Sequence, residues 1–320
     1  MVVLKPVVKE RSMKNCFLFP GQGAQYPGMG KDLYESDSTV RYLFQLASDT
    51  TKINMEKLLF EGTEAELAQT DKTQVAITLI NLAVRAVLLN RGIEAAASAG
   101  FSLGEFAALV EAGVLSTEEV FPLVALRGRA MQEASRTHDG PEGPTGMAAV
   151  IGATFEELSA ILEPLSEVYI ANYNAPTQLV ISGTARGLAA AETACKEKGV
   201  RRVIRLKVSG PFHCPLLEEA RVKFAEAAKK CSFKNPIKPV FSNVTGTIIT
   251  TGEEARELSI KQIVSPVLWV KEEEAIAAAG YDRCLETGPG KVLSGVWKSA
   301  GHTLPCLNVG TKPEIDSLPN

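Results

Sequence analysis

The stretch Ala99-Gly-Phe-Ser-Leu-Gly-Glu-Phe-Ala-Ala-Leu109 constrains this chain more than any other. It reads Gly-x-Ser-x-Gly and opens directly into an apolar, alanine-rich run. Gly100 and Gly104 carry no Cβ, so the backbone can turn sharply there and pack closely on its neighbours. The pattern predicts a tight strand-to-helix elbow that lifts the Ser102 hydroxyl to the tip of a sheet, at a helix N-terminus. Free backbone N–H groups at such a point face any negative charge that develops beside the hydroxyl. The position suits a nucleophile. The pentapeptide alone is equally compatible with an ordinary turn, so the rest of the chain has to supply the partners a serine nucleophile needs.

Bulk properties narrow the setting. A chain of 320 residues, 45% hydrophobic and 22% charged, can build a sizeable core as two domains or as one large domain carrying an insertion. A net charge of -3 and a pI near 5.8 lack the basic balance of a general nucleic-acid binder. No apolar run is read as approaching the roughly 20 residues a membrane helix requires. Met1 to Asn15 carries Lys5, Lys9, Arg11 and Lys14 but no signal-peptide apolar core, and it reads as a leader, with a short organelle presequence as the alternative. Six scattered cysteines without a Cys-x-x-Cys pair suggest neither a zinc site nor a disulfide framework, which fits a reducing, cytoplasmic compartment. Only His138, His213 and His302 are available as an imidazole base.

Along the chain, Cys16 to Phe19 reads as a buried strand running into the glycine-rich loop Gly21-Gln-Gly-Ala-Gln25. That loop is a plain turn or a close approach of backbone to a ligand; no Gly-Lys-Ser/Thr follows, so it is not a phosphate loop. Residues 31–90 read as mostly helical, with a capping box at Thr63-x-x-Glu66 and a helix from about Lys72 to Asn90. Ile93 to Ala99 should be the strand entering the elbow. Ser116-x-x-Glu119 opens a helix reaching about Ala134 and containing Pro122 and Leu126-Arg-Gly-Arg-Ala-Met-Gln132. On spacing alone Arg127 reads as a surface ion-pair residue.

Residues 137–146 are a linker by composition. Beyond them come strands at Met147 to Ile151, Val168 to Asn172, Gln178 to Ser182 and Val203 to Val208, with helices after Thr154 and over 185–198. This βαββαβ order is a ferredoxin-like unit, predicted as a small domain over 139–208 inserted in a large domain of 1–138 and 209–320. The chain returns through Ser209-Gly-Pro-Phe-His-Cys-Pro215, a loop that places His213 before a helix from about Leu216 to Lys230. Held between two prolines, His213 is a better base candidate than His138 in the linker or His302 near the end. A strand at Pro239 to Ser242, a helix ending near Val264, another opening at Ser265 to Trp269, a strand at Asp282 to Glu286, a helix from Lys291 and a short strand within Leu304 to Val309 complete the reading.

Phe19-Pro-Gly-Gln-Gly-Ala-Gln25, Gly100-Phe-Ser-Leu-Gly-Glu105, Arg127-Gly-Arg-Ala-Met-Gln132, Asn172-Tyr-Asn-Ala-Pro176, Gly210-Pro-Phe-His-Cys214 and Glu286-Thr-Gly-Pro-Gly290 occur in this order. From Asn15 to about Gly310 the chain resembles the malonyl-CoA:acyl carrier protein transacylases of fatty-acid synthesis. The resemblance implies an α/β fold, with an α/β-hydrolase-like large domain around the ferredoxin-like insert. It implies Ser102 as nucleophile and His213 as general base, the imidazole oriented by a main-chain carbonyl near Leu268. Gln22 and Leu103 would supply oxyanion amides. Arg127 would grip the free carboxylate of malonyl, in place of the ion-pair reading, and Phe212, Asn172 and Phe101 would line the substrate.

The implied reaction is ping-pong, from malonyl-CoA through a malonyl-serine ester to the phosphopantetheine thiol of acyl carrier protein, with no metal or redox cofactor. Partners would be acyl carrier protein and malonyl-CoA, with no nucleic acid or membrane, and the chain a monomer. Most such proteins carry His where this chain has Phe101. A Phe at position 212, before the base, accompanies malonyl in related polyketide acyltransferases where a Ser accompanies methylmalonyl. The basic segment Lys196 to Lys207 is either a docking face for the acidic carrier or a solvated surface. Alternative functions are a polyketide-synthase acyltransferase and a serine esterase or thioesterase.

Overall fold

At the centre of the larger sheet lies β1 (Asn15–Phe19), buried along its whole length. It pairs in parallel with β2 (Ala95–Gly100) on one side and β7 (Arg283–Glu286) on the other, and β8 (Cys306–Asn308) extends the sheet beyond β7. A strand covered on both faces needs no polar alternation, hence the unbroken run Cys16 to Phe19. The computed structural model describes residues 13–319, so the leader expected over Met1 to Asn15 falls almost wholly outside the described residues.

The β2 strand is nearly all alanine, glycine and serine, poor strand formers whose value lies in their size. They let α6 (Gly104–Glu111) lie close against the sheet, where the Ser98 hydroxyl donates to the Ala108 carbonyl at 3.0 Å. Between β1 and β2 run α1 (Lys31–Ser36), α2 (Ser38–Thr51), α3 (Met55–Phe60), α4 (Glu64–Leu67) and α5 (Thr70–Asn90). By length and composition α5 would pass as a membrane span, which the sequence reading did not anticipate, yet 78% of its apolar window is buried inside the protein. Its partner is α7 (Thr117–Arg136), which starts at the predicted Ser116–Glu119 capping box and accommodates Pro122. Capping boxes also form at Thr63–Glu66 and Thr154–Glu157, each satisfying backbone donors that a helix start leaves free.

The second sheet is antiparallel. β3 (Gly146–Ile151), α8 (Phe155–Leu162), β4 (Val168–Ala175), β5 (Gln178–Gly183), α9 (Ala185–Glu197) and β6 (Arg202–Arg205) follow in the chain, and the strands lie in the order β4-β5-β3-β6. The helices pack on this sheet around a core of its own, including Val150, Leu158, Ile181, Leu188 and Cys195. The chain then returns to the first sheet through a 3-10 turn at Pro215–Leu217. There follow α10 (Glu218–Ala228), α11 (Gly252–Gln262), α12 (Trp269–Ala278), α13 (Val292–Ala300) and α14 (Lys312–Asp316). The chain is thus an α/β fold with one parallel and one antiparallel sheet.

One predicted strand shrinks to a bridge. Residues 239–242 run beside β2 through only two bonds, Ser98 N to the Pro239 carbonyl at 2.9 Å and Phe241 N to the Ser98 carbonyl at 3.1 Å. Pro236 and Pro239 have no N–H to give a ladder, which explains the short pairing. The bridge nevertheless carries the next residues, Ser242 and Asn243, to the end of β2 and the elbow. All six cysteines are free thiols.

Candidate active site

The site forms where β1 and β2 end side by side, the edge at which open parallel sheets hold their ligands. The Phe101 amide donates to the Phe19 carbonyl at 2.9 Å, which sets the Gln22 loop against the elbow. Both glycines of the elbow are sterically required. A Cβ on Gly100 would stand 2.1 Å from the Gly104 carbonyl carbon, and one on Gly104 would stand 1.9 Å from the Phe19 oxygen.

Ser102 has φ +52° and His213 φ +59°, so both lie in the left-handed region that side chains avoid. Each such residue costs about 1–3 kcal/mol and persists only where its surroundings hold it. The reward is geometric. Ser102 Oγ lies 2.6 Å from His213 Nε2, and His213 Nδ1 lies 2.9 Å from the Gln262 carbonyl oxygen. A carbonyl can only accept, so Nδ1 carries the proton and Nε2 is left to accept from the Ser102 hydroxyl. Burial first, and then the charge of Arg127, depress the His213 pKa to about 4, keeping the ring neutral at ordinary pH and its Nε2 lone pair open to a proton.

The carbonyl that orients His213 corrects the expectation at Leu268. Gln262 is the last residue of α11, where a helix has no intrahelical donor for its carbonyl; that oxygen takes only a long bond from Ser265 N at 3.4 Å and faces the imidazole. The Leu268 carbonyl is already committed to the first turn of α12, accepting from Lys271 N at 3.0 Å and Glu272 N at 3.3 Å.

Arg127 is not a surface residue: it is 1% exposed. A Cβ on Gly128 would stand 2.8 Å from the Thr70 carbonyl, so its absence lets α7 approach the start of α5. There the guanidinium donates through one terminal nitrogen to Gln74 Oε1 at 3.0 Å and through the other to Gln262 Oε1 at 2.9 Å. It stacks over Phe106 with its carbon 5.4 Å from the ring centre, and its Nε is buried without a partner. Burial lowers the Arg127 pKa to about 10, opposed by the nearby Glu105. The group remains a cation with unused donors, and it lines the cavity that Ser102 and His213 share.

A cavity of about 220 Å³ gathers the expected residues: Gln22, Phe101, Ser102, Leu103, Arg127, Asn172, Phe212 and His213 all line it. Among the described residues, neither the Gln22 nor the Leu103 amide donates to another group. Phe101 stands edge-on to Trp269, ring centres 5.4 Å apart, as an apolar wall beside the hydroxyl. The Phe212 carbonyl accepts from Ser182 Oγ at 2.5 Å, tying the loop of the base to β5.

Several residues the sequence did not point to complete the arrangement. Asn174, on β4, also lines the cavity and has a buried side-chain oxygen without a partner. Gln262 Nε2 donates to the Ser102 carbonyl at 3.1 Å, so one residue touches nucleophile, base and arginine. Behind the elbow lie Asn243 and two fully buried carboxyls. Burial raises Glu105 to about 7 and pushes Glu272 well above the ordinary carboxyl range. Of these, Asn174 and Glu105 sat in recognised motifs, without a role assigned to either; Gln262, Asn243 and Glu272 come from separate elements with no shared spacing.

Residues 16–313 carry the sequence pattern of the acyl transferase domain. The malonyl CoA-acyl carrier protein transacylase of Bacillus subtilis (strain 168) is 39% identical over 307 residues, 95% of either chain. The crystal structure of malonyl CoA-acyl carrier protein transacylase from Clostridium perfringens superposes with a TM-score of 0.89 at 38% identity, covering 95% of both chains. PlMCAT in its holo complex with AntF, a type II PKS acyl-carrier protein bound to its malonyl-transacylase, gives a TM-score of 0.89 at 35% identity over 95% of this chain and 98% of that one. The chain belongs to the acyl transferase domain family and, within it, to the malonyl CoA-acyl carrier protein transacylases.

Proposed function

We propose that this chain transfers malonyl from malonyl-CoA to the phosphopantetheine thiol of acyl carrier protein, for fatty-acid elongation, through an ester on Ser102. The observation that carries the reading is the 2.6 Å contact between Ser102 Oγ and His213 Nε2 in one cavity with Arg127 and its unpartnered Nε. His213 Nε2 takes the hydroxyl proton as Oγ attacks the thioester carbonyl. The oxyanion lies between the Leu103 and Gln22 amides. CoA leaves as a thiol, taking the proton from the imidazolium, whose charge the free end of α11 favours. The carrier thiol repeats the sequence in reverse, returning free Ser102. Arg127 holds the malonyl carboxylate throughout, a task suited to its planar fork. Asn172, Phe212 and Phe101 shape the rest of the pocket, and Phe212 crowds a branch at the substrate α-carbon.

On this reading β3 to β6 form a ferredoxin-like insert over 139–208, carried by an α/β-hydrolase-like domain of 1–138 and 209–320 acting as a monomer in the cytoplasm. The separate core of the antiparallel sheet and its strand order support that division. The carrier approaches by the exposed basic edge that runs from Arg201 and Arg202 along β6 to Arg205, where a groove begins that shares Met147, Leu206 and Val208 with the cavity. Reversing both charges should raise the carrier KM several-fold at low salt. The complex of a relative with a polyketide carrier makes such a carrier the second reading of the acceptor. Transfer assays with a fatty-acid and a polyketide holo-carrier, on wild type and Ser102→Ala, test both: wild type should favour the fatty-acid carrier and the variant should transfer to neither. Transfer by the variant at the wild-type rate would refute the ester route.

A further inference from the structure

We propose that Asn243 is a positioning residue for the nucleophile, its side-chain amide clamping both sides of the elbow so that Ser102 stays in the backbone state that aims Oγ at His213. The inference rests on the reading of Ser102 as nucleophile. Asn243 Oδ1 accepts from the Ser102 amide at 2.7 Å, and Asn243 Nδ2 donates to the Gly100 carbonyl at 2.7 Å. One planar amide therefore bridges the last residue of β2 and the serine two positions on, as a neighbouring strand's peptide group would. No strand reaches there, because the 239–242 bridge is ending. Without the clamp, a buried donor and a buried acceptor at a left-handed turn would both lose their partners.

The orientation of the amide is unambiguous. Both partners of Nδ2 are acceptors, Gly100 O and Glu272 Oε1 at 2.7 Å, and both partners of Oδ1 are donors, Ser102 N and Gln262 Nε2 at 3.3 Å. The backbone of Asn243 is held as firmly, its amide donating to Glu105 Oε2 at 2.6 Å and its carbonyl accepting from Leu268 N at 2.8 Å. Asn243 thus joins β2, α6, α11 and α12 behind the hydroxyl while touching neither cavity nor substrate. It is 0% exposed. The left-handed φ of Ser102 is a state serine does not hold unaided. Release of the clamp should let the hydroxyl swing from His213 and slow attack without altering the grip on the substrate.

The experiment is rapid-quench acylation by malonyl-CoA on full-length wild type, Asn243→Ala, Asn243→Asp and Ser102→Ala, with malonyl-CoA KM and the thermal melt of each. Asn243→Ala should lower the acylation rate constant on the order of 100-fold, the cost of a nucleophile displaced by about 1 Å, with KM nearly unchanged. Asn243→Asp keeps the acceptor for Ser102 N, and its carboxyl, against Glu272 and near Glu105, with Gln262 between it and Arg127, acts as a donor while protonated. Its rate should therefore recover part of the loss at low pH and fall as pH rises, where wild type holds steady. A folded Asn243→Ala that acylates at the wild-type rate overturns the proposal. Should Asn243→Ala not fold, a folded Asn243→Leu, which keeps the bulk and neither bond, overturns it equally if it acylates at the wild-type rate. Acylation in Ser102→Ala would instead defeat the nucleophile reading, a separate outcome.

Discussion

Replacing Arg127 by alanine should convert a malonyl-selective acyltransferase into one that no longer distinguishes malonyl from acetyl. The guanidinium is 1% exposed, two of its donors are spent on Gln74 and Gln262, and Nε is free and buried. A malonyl carboxylate docked there forms a charge-assisted pair largely out of water. Removing one member of a buried pair costs about 3–5 kcal/mol, because the other charge is left uncompensated. At about 1.4 kcal/mol per tenfold, kcat/KM for malonyl-CoA should fall by roughly two to three and a half decades. Acetyl-CoA has no carboxylate to strand, so it loses only what Gln74 and Gln262 lose as orphaned acceptors. The assay is acyl-enzyme formation with radiolabelled malonyl-CoA and acetyl-CoA on acid-quenched protein. An equal fall for both thioesters, or none for either, would refute the clamp. The same variant removes a cation that depresses His213, so its acid limb should also move toward higher pH.

Three further outcomes follow from the geometry. With His213 held at about 4 by burial and Arg127, the depressed pKa leaves the base neutral well into acid, so kcat/KM for malonyl-CoA should stay level from pH 8 to below the ordinary imidazole value of about 6.5; an inflection at that value in a pH–rate profile would contradict it. Phe212→Ser, by opening the wall beside the base, should raise the methylmalonyl-to-malonyl acylation ratio at least several-fold, and an unchanged ratio would remove Phe212 from specificity. Gly104→Ala places a methyl against the Phe19 carbonyl, an overpacking that costs about 1–3 kcal/mol or more, and a thermal melt should show the loss together with lower acylation.

Ser102 and His213 stood out in the sequence because both sit where local rules speak. The glycines around Ser102 demand an elbow, the prolines around His213 demand a loop, and capping boxes mark the helix starts of α4, α7 and α8. Arg127 could not be separated from a surface residue by spacing, since its burial depends on how closely α7 meets α5. The Gln262 carbonyl was illegible for a different reason. A backbone oxygen has no residue signature, and only the observed end of α11 reveals which carbonyl faces the ring. Asn243 and Glu272 acquire meaning only when β2, α6, α11 and α12 converge behind the elbow. The bridge at 239–242 looked like a strand because its apolar residues fit one, while its prolines removed the donors a ladder needs.

On the proposed route Ser102, activated by His213, carries the malonyl group. Mass spectrometry of acid-quenched protein after brief exposure to malonyl-CoA, without carrier, measures it most directly. Wild type should carry one malonyl group on the peptide containing Ser102, discharged on adding holo-carrier, and Ser102→Ala none. A malonyl group on another residue, or malonyl-carrier formed by Ser102→Ala at the wild-type rate, would contradict it.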